Sequence, residues 1–436
     1  MTRRHHTTAL ILLALLNAVG FMDRVVVAVV AQPVKAEFAL SDMSVGLLGG
    51  TAFALMNTLI SLPVARAAEK WSRARLTSVF ALLGSLFTLL AGFSTGFGQL
   101  LVCRLGMATG SAATEAPPHS MISDMFPPDR RASALSLFML GVPVAALLGS
   151  FGGGAIAQAF GWRGTFQAFG ALGVIIALAC LFWLKEPARG QSSAPAGPGI
   201  VAVLAQLAGL AEMRWLLLAT SLVGLGSYGI NTFLPAFFAR DYGLGPAQAG
   251  LAFGLLSGVA SLIGTIVGGY GAEWAARHDR RWLLGFPALG LALGVPLFLT
   301  GMFCRTLPLS LSLMLLGACS FYTMMGPAIA TLHAGLDSRS RATGSALFLL
   351  AAHLIGQGLG PPLIGMLSDG LSASLYAPGH YAAACAGLAA QIPSSPCAAA
   401  SAKGLRIAIA AWTACYAAGG LALLLSARAG ANHETR

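Results

Sequence analysis

The chain has 436 residues, of which 56% are hydrophobic and only 9% are charged, and its mean hydropathy is +0.77. A soluble protein usually has about a quarter of its residues charged, so this composition excludes a water-soluble globular protein and predicts a membrane protein. The formal net charge of +11 is explained by membrane topology, as described below, and does not indicate nucleic-acid binding.

Twelve apolar runs are long enough to cross a membrane, since crossing ~30 Å of hydrocarbon takes about 20 helical residues. The alternating segments of about ten residues that form membrane β-barrels are absent. We therefore predict an all-α integral membrane protein with twelve transmembrane helices. The predicted spans are 8–31, 43–65, 75–94, 98–123, 132–157, 164–184, 213–237, 247–271, 282–304, 308–334, 342–367 and 405–426.

The basic residues between these spans predict the orientation of the chain. Eighteen of the 26 lysines and arginines lie in the termini or in the loops on the same side of the membrane as the termini. Basic residues stay in the cytoplasm, so we expect both termini to be cytoplasmic, in a plasma or bacterial inner membrane. The first apolar run continues to Ala31 without a cleavage site, which is typical of a retained span rather than of a signal peptide.

The first span contains two adjacent charges, Asp23 and Arg24, within GFMDRVVVAVV. A charge at the bilayer centre costs at least about 2.5–3.5 kcal/mol, so such residues usually face a cavity and find partners. Arg104 in the fourth span is expected at a similar depth, and we predict that it pairs with Asp23. The alternative is a fixed ion pair that only braces two helices.

A second acid, Glu115, lies in the fourth span four residues before His119. That spacing places both on one helix face, where they can share a proton or a hydrogen bond. The alternative is a polar cluster at the cytoplasmic end of the helix, next to Asp124.

Cysteine usage predicts one disulfide. Cys385 and Cys397 lie in the long segment between the last two spans, which faces an oxidising compartment in the predicted topology. The other five cysteines are scattered through or near apolar spans and are expected to be packing residues. The chain has no paired-cysteine zinc spacing and no H-E-x-x-H or G-x-S-x-G motif, so we expect no metal, no cofactor and no enzymatic activity.

An internal repeat relates the second and eighth spans. Small residues at four-residue spacing precede a charged loop in both, with AEKWSRARL (68–76) in the first copy and AEWAARHDRRWLL (272–284) in the second. The repeat predicts two six-helix halves, 1–185 and 213–436, joined by a cytoplasmic linker, 186–212. Parallel halves of this kind place a substrate site near the membrane midplane, at their interface.

The repeat also predicts which residues face that site from the second half. In the seventh span, the positions that the repeat matches to Asp23 and Arg24 lie near uncharged side chains that can form hydrogen bonds. Further polar groups occur on the tenth and eleventh spans. The candidates are Ser227, Tyr228, Asn231, Tyr322 and His353. The predicted cavity then has charged residues on the wall from the first half and uncharged residues on the wall from the second half. Such a cavity suits an amphipathic substrate.

The two charged loops are predicted to act as gates. An acid near a helix terminus, surrounded by basic residues, can hold helices together across the interface of the halves. The candidates are Glu69, Lys70 and Arg73 in the first loop and Glu273 and Arg277 in the second.

Several ordered motifs carry a family resemblance. They are FMDR (21–24), LSDMSVGLLGGTAFAL (40–55), AEKWSR (68–73), APPHSMISDMFPPDRRASAL (116–135), GVPVAALLGSFGGG (141–154), GWRGTF (161–166), KEP (185–187), GGYGAEWAARHDRRW (268–282) and GQGLGPPLIGMLSDGL (356–371). With these motifs the chain resembles the Spinster-like branch of the major facilitator superfamily over nearly its whole length. One position departs from the family pattern, because Ser111 stands where that pattern has a glutamate, and Glu115 lies one helical turn further on.

The resemblance implies a monomeric secondary active transporter that works by alternating access and couples its substrate to protons. In that scheme Asp23, with Glu115 as a second acid, titrates, and the anionic head group of a lysolipid or sphingoid lipid is bound by Arg24 and Arg104, with Ser111 nearby. Two other functions remain open: a proton-coupled organic-anion symporter and a non-transporting membrane sensor.

Overall fold

The computed structural model describes residues 3–187, 200–337, 340–376, 381–385 and 395–434, and within these ranges the regular structure is entirely helical. Ten stretches are long and apolar enough to span a membrane. One of them, Ser133–Trp183, contains two crossings, and the less apolar helix Phe97–Met125 completes the twelve. The predicted all-α fold with twelve spanning helices in two six-helix halves is therefore confirmed.

The first half contains six spanning helices, and the second helix includes a π-helical turn. They are α1 (Arg3–Glu37), α2 (Asp42–Gly46, the π-turn Leu47–Thr51 and Ala52–Lys70), α3 (Arg73–Ala91), α4 (Phe97–Met125), α5 (128–160) and α6 (162–183).

Gly161 separates α5 from α6, because its backbone is not helical (φ 73°). The Thr165 hydroxyl donates to the carbonyl of Gly153 at 3.4 Å. In a straight helix these residues would be ~18 Å apart, so the chain folds back at this glycine, the residue that tolerates such a φ best.

The second half contains the other six spanning helices, four of which are interrupted. They are α7 (Ala211–Tyr242), α8 (Pro246–Gly254, the π-turn Leu255–Val259 and Ala260–Ala276), α9 (Trp282–Met302), α10 (Leu307–Phe321 and Met325–Ala334), α11 (Arg341–Ala351, the π-turn Ala352–Gln357 and Gly358–Leu375) and α12 (Pro396–Trp412 and Ala414–Glu434). A short linker helix, Ile200–Gly209, precedes α7 and buries Val203 and Leu207.

The small-residue stripes seen in the sequence bring the two halves into contact. A Cβ atom on Gly50 of α2 would lie 2.3 Å from the carbonyl of Gln357 on α11, and one on Gly250 of α8 would lie 2.3 Å from the carbonyl of Ser150 on α5. Only glycine allows helix backbones to approach this closely. The α2–α11 and α5–α8 seams are therefore closed by backbone packing.

Both seams lie toward one membrane face. We call the face at which α2 begins, at Asp42, the latch face, and the face at which α3 begins, at Arg73, the brace face. Along α2, close contacts with α11 run from Gly46, whose Cβ position lies 2.4 Å from Pro361 O, to Ala54, which is 3.7 Å from the Cβ position of Gly358. The halves are thus packed together between the membrane midplane and the latch face.

Candidate functional site

Arg104 lies at the centre of the first half with only 1% of its surface exposed. Its guanidinium donates to three backbone carbonyls: Nη1 to Asp23 O at 2.6 Å, Nε to Leu48 O at 3.1 Å and Nη2 to Gly49 O at 3.3 Å. The sequence correctly placed Arg104 beside Asp23, but the predicted ion pair is wrong, because the arginine binds the backbone of Asp23 and not its carboxylate.

The π-turn of α2 explains why these carbonyls accept bonds from Arg104. Leu48 and Gly49 lie within Leu47–Thr51, where the helical hydrogen-bond pattern widens to i→i+5. The altered pattern leaves carbonyl oxygens open to a donor from another helix, and Arg104 fills that role. Such turns often mark functional positions in helices.

Asp23 is buried, with 5% of its surface exposed. Its Oδ1 atom has no hydrogen-bond partner in the described part of the chain. Two amide oxygens share this condition, Asn57 Oδ1 on α2 and Gln357 Oε1 on α11. Buried polar atoms are almost always satisfied, so each of these acceptors, on α1, α2 and α11, is a position at which a ligand donor or a proton would be stabilised. Sequence analysis assigned no role to Asn57, whereas Gln357 is one of the polar groups that it noted on the eleventh span.

Arg24 and Arg104 lie near the same aromatic ring. The guanidinium carbon of Arg24 is 5.1 Å from the centroid of Phe53, and that of Arg104 is 4.6 Å from it. Both distances fall within the range of cation–π attraction. Phe53 is fully buried, whereas Arg24 remains partly exposed.

The remaining polar candidates of the first half lie along α4. Ser111 is buried, and its backbone carbonyl accepts the Thr114 hydroxyl at 3.1 Å. The side chain of Glu115 lies outside the described part of the structure, so its role stays a prediction. His119 packs edge-on against Phe138, with ring centroids 5.2 Å apart.

The candidates of the second half do come together. Asn231 Nδ2 donates to Ser227 Oγ at 3.3 Å and to the Tyr322 hydroxyl oxygen at 3.2 Å. The rings of Tyr228 and His353 are 5.7 Å apart in an edge-on arrangement. Tyr322 ends the first segment of α10 with non-helical dihedral angles, a break that the sequence did not predict. These five residues form a polar and aromatic wall.

A buried ionic cluster joins the halves at the latch face. Asp42, whose side chain is 2% exposed, accepts Lys35 Nζ at 2.5 Å and both terminal nitrogens of Arg240 at 2.6 and 2.8 Å. Ser368 Oγ donates to the same carboxylate at 2.7 Å. Because Lys35 and Asp42 belong to the first half and Arg240 and Ser368 to the second, we call this cluster the latch.

Asp369 adds a second contact to the latch. Its two carboxylate oxygens accept the backbone N–H groups of Asp42 and Met43, each at 2.9 Å. A carboxylate at a helix N-terminus satisfies free N–H groups and complements the helix dipole. Sequence analysis missed the latch, although one signal was visible: LSD occurs twice, at 40–42 and at 367–369.

A second ionic cluster lies at the brace face, around Arg73. This buried arginine donates to Glu186 at 2.8 Å, to Asp124 at 2.6 Å and to Ser120 Oγ at 2.7 Å. Arg73, Asp124 and Ser120 belong to the first half, and Glu186 follows its last helix directly. Within the described part of the chain, the cluster therefore makes no contact with the second half, and we call it the brace. The prediction that Arg73 bonds across the interface of the halves is wrong in this conformation, because the ends of α4 and α6 supply its partners.

Glu186 begins the predicted linker, yet the brace fixes its position. Its carboxylate accepts the Ser72 hydroxyl and the Ala74 N–H, each at 2.9 Å, in addition to Arg73. Burial raises the pKa of Glu186, but the hydrogen bonds from Ala74, Arg73 and Ser72 outweigh this effect, and the pKa lies below its ordinary value. The carboxylate is therefore ionised at neutral pH.

The other gating candidates do not take part in the brace. Lys70, Glu273 and Arg277 are exposed, and the side chain of Glu69 lies outside the described residues. Within the described ranges, no ion pair links the two charged loops.

Cys385 and Cys397 form a disulfide, with Cα atoms 5.4 Å apart. In the described parts of the chain, no group of three or more histidine, cysteine, aspartate or glutamate side chains is placed to hold a metal ion.

Comparisons with known proteins agree with this architecture. The Major Facilitator Superfamily profile matches residues 13–361. The chain is 28% identical to an MFS-type efflux pump of Mycolicibacterium smegmatis, over 84% of this chain and 85% of that protein. It is 24% identical to the sphingosine-1-phosphate transporter SPNS2 of Danio rerio, over 82% of this chain and 75% of that protein.

A solved structure gives the same result in three dimensions. It is the crystal structure of a bacterial homolog to the human lysosomal transporter Spinster, in an inward-facing and unoccupied conformation. The two chains superpose with a TM-score of 0.88 at 27% identity, over 99% of each. The chain belongs to the Major Facilitator Superfamily, in its Spinster-like branch, and is a membrane transporter rather than an enzyme.

Proposed function

We propose that the protein is a proton-coupled secondary active transporter of an amphipathic anionic or zwitterionic substrate, such as a lysolipid or a sphingoid lipid. The observation that carries the proposal is the buried carboxyl of Asp23, which has an unsatisfied oxygen and adjoins a partly exposed arginine in the middle of a membrane span. The name of one relative, a sphingosine-1-phosphate transporter, supports the substrate class.

Asp23 is the proposed proton carrier. An ionised carboxylate with an unsatisfied oxygen in a buried site is more costly than a protonated one. The present arrangement, with Arg104 bound to backbone carbonyls, therefore suits a protonated Asp23. Loss of the proton would create a charge beside Arg24 and Arg104, so protonation can change the electrostatics of the whole site.

Arg24 is the proposed contact for the anionic head group. Three backbone carbonyls already take up donors of Arg104, which favours a bracing role for that residue. Arg24 is the more accessible of the two. The amide groups of Asn57 and Gln357 and the wall around Asn231 then suit hydroxyl or amine groups of the substrate, since none of them carries a fixed charge.

The conformation and orientation follow from the same features. The latch face is closed by two packed seams and an ionic cluster, and most basic loops lie toward the brace face. We assign the brace face to the cytoplasm, with both termini there, and the conformation as inward-facing. The similarity to an inward-facing Spinster homolog supports this assignment.

Transport into liposomes tests the proposal. Purified protein is reconstituted with an imposed pH gradient, and uptake of a labelled lysolipid is compared with that of a sugar acid. We expect lysolipid movement that stops when the gradient is dissipated, and Asp23→Asn should abolish it while the protein remains folded.

The matched control is Glu37→Gln, at the end of the same helix. Glu37 pairs with Arg163 at the surface, where such pairs contribute little, so transport should persist. Movement of the sugar acid alone would favour the organic-anion symporter. Normal proton-coupled uptake by Asp23→Asn would refute the assignment of Asp23, and movement of neither solute would favour a sensor.

A further inference from the structure

We propose that Phe53 is a positioning residue for anion recognition: its ring holds the guanidinium of Arg24 in place for the anionic head group of a single-chain amphiphile. The inference rests on the proposed role of Arg24 and adds a residue that makes that role specific. Phe53 carries no charge and no polar atom, so neither charge nor hydrogen bonding singles it out in the sequence.

The position of Phe53 is fixed by the π-turn that precedes it and by Arg104 beside its ring. It follows the π-turn Leu47–Thr51 by two residues, and the carbonyls of that same turn bind Arg104. Arg104 therefore anchors the turn and lies 4.6 Å from the ring centroid. Since Phe53 is fully buried, its ring presents a fixed surface to the longer and partly exposed side chain of Arg24.

The chemistry of the ring decides which ligand the site takes. Two guanidinium groups near one another repel, and a carboxylate placed between them would relieve the repulsion by cancelling their charge. The face of a phenyl ring attracts cations through its quadrupole and leaves their net charge intact. With Asp23 protonated, as proposed above, the site keeps a positive potential, which favours a phosphate, sulfate or carboxylate head group over a neutral one.

The geometry also separates the roles of the two arginines. Arg104 is 1% exposed and bonded to backbone, whereas Arg24 is partly exposed and 5.1 Å from the ring centroid. Phe21, on the same helix as Arg24, is 6.0 Å from its guanidinium carbon. With Phe53 removed, Arg24 loses its nearer aromatic contact, while Arg104 keeps its carbonyl partners.

The test measures binding rather than transport. Octyl phosphate and the neutral octyl glucoside are titrated into the detergent-solubilised protein by calorimetry, with empty micelles as the blank. In Phe53→Leu we expect binding of octyl phosphate to weaken roughly tenfold and binding of octyl glucoside to change little. The measured quantity is the ratio of the affinity for octyl phosphate to the affinity for octyl glucoside. A general destabilisation of the fold would lower both affinities and leave this ratio unchanged.

Two further variants keep the test decisive. Phe53→Met fills most of the same volume without an aromatic face and should behave like Phe53→Leu, even where the leucine variant is unstable. Phe348→Leu removes another fully buried phenylalanine, one with no arginine within cation–π distance among the described residues, and should keep the wild-type ratio.

Three results would overturn the inference: an unchanged affinity ratio in both Phe53 variants, an equal fall in the Phe348 variant, or a wild-type protein that binds octyl phosphate no better than octyl glucoside. The expected binding pattern without lysolipid transport in liposomes would instead refute the proposed function and leave the role of Phe53 standing.

Discussion

The latch and the brace contain the same kinds of residue, a buried arginine bound by carboxylates, yet their consequences for transport are opposite. Arg240 and Asp42 join the second half of the molecule to the first. Arg73, Glu186 and Asp124 join three helix ends within the first half alone. In the alternating-access mechanism that we propose, the halves separate at one face, so we expect the latch to break in each cycle, whereas the brace can move as one body.

The difference shows that the partners of a charge, rather than its burial, decide whether it acts as a gate. Burying an ion pair costs desolvation, and separating the partners inside the protein is strongly unfavourable. At the latch face, however, separation admits water, which can solvate the released charges. The latch therefore suits a reversible contact, and the brace suits a permanent one.

The largest effect is expected from Asp42→Asn, which leaves Arg240 and Lys35 buried without their carboxylate. We expect the latched conformation to lose about 3–5 kcal/mol, which shifts the protein toward opening at the latch face. A cysteine placed at Thr51, whose hydroxyl bonds Gly358 O across the seam, should then react faster with an impermeant maleimide, after subtraction of labelling in the parent chain.

The matched control for this prediction is Asp241→Asn. Asp241 pairs with Arg406 on α12, at the same face but within the second half. Its loss should lower thermal stability without raising the labelling rate at position 51. An equal rise in both variants would show that the latch acts only through general stability.

The next effect is expected from Gly46→Ala, which adds a Cβ atom 2.4 Å from Pro361 O. Backbone atoms cannot move away from that contact without strain, so the α2–α11 seam should open. We expect the closed conformation to lose roughly 1–3 kcal/mol of stability, and the cysteine at position 51 should be labelled faster. Gly269→Ala on α8 meets no atom within 4 Å and should be neutral or slightly stabilising. Labelling of position 51 at the parental rate in Gly46→Ala would argue against a tightly packed seam.

Arg73→Ala should lower stability without opening the latch. It removes bonds to Glu186, Asp124 and Ser120, two of them ion pairs, and the carboxylates left behind are partly exposed. We expect a loss of about 1–3 kcal/mol, measured as a lower melting temperature in detergent. Labelling at position 51 should stay at the parental rate, and a marked increase would assign the brace a gating role.

The smallest effect is a pH dependence. Because the pKa of Glu186 is lowered in the folded protein, its stabilisation is fully present above the unfolded value of about 4.3 and is lost as the pH falls through the lower, folded pKa. Wild type should be more stable than Glu186→Gln at neutral pH, and the two melting temperatures should converge in acid. Parallel curves would show that Glu186 does not titrate in the brace.

Several features of the site were predictable from local sequence. The meeting of α1 and α4 at Asp23 and Arg104 followed from counting residues along two spans, and the internal repeat pointed to Ser227 and Asn231. The bonding of Arg104 did not follow, because every residue carries a carbonyl and only the π-turn decides which carbonyls are open to a donor from another helix. The partners of Asp42 in the second half were equally hidden, since they lie 198 and 326 residues away along the chain.

Twelve membrane crossings, two related halves and charges inside the membrane were all predictable from the amino-acid sequence, because hydropathy and internal repeats are local properties. Which charges meet depends on helix packing: it places Asp42 in a contact between the halves, Arg73 in a contact outside the second half, and Phe53 beside the two arginines. Those pairings depend on how helices distant in sequence pack, at distances that no pattern along the chain specifies.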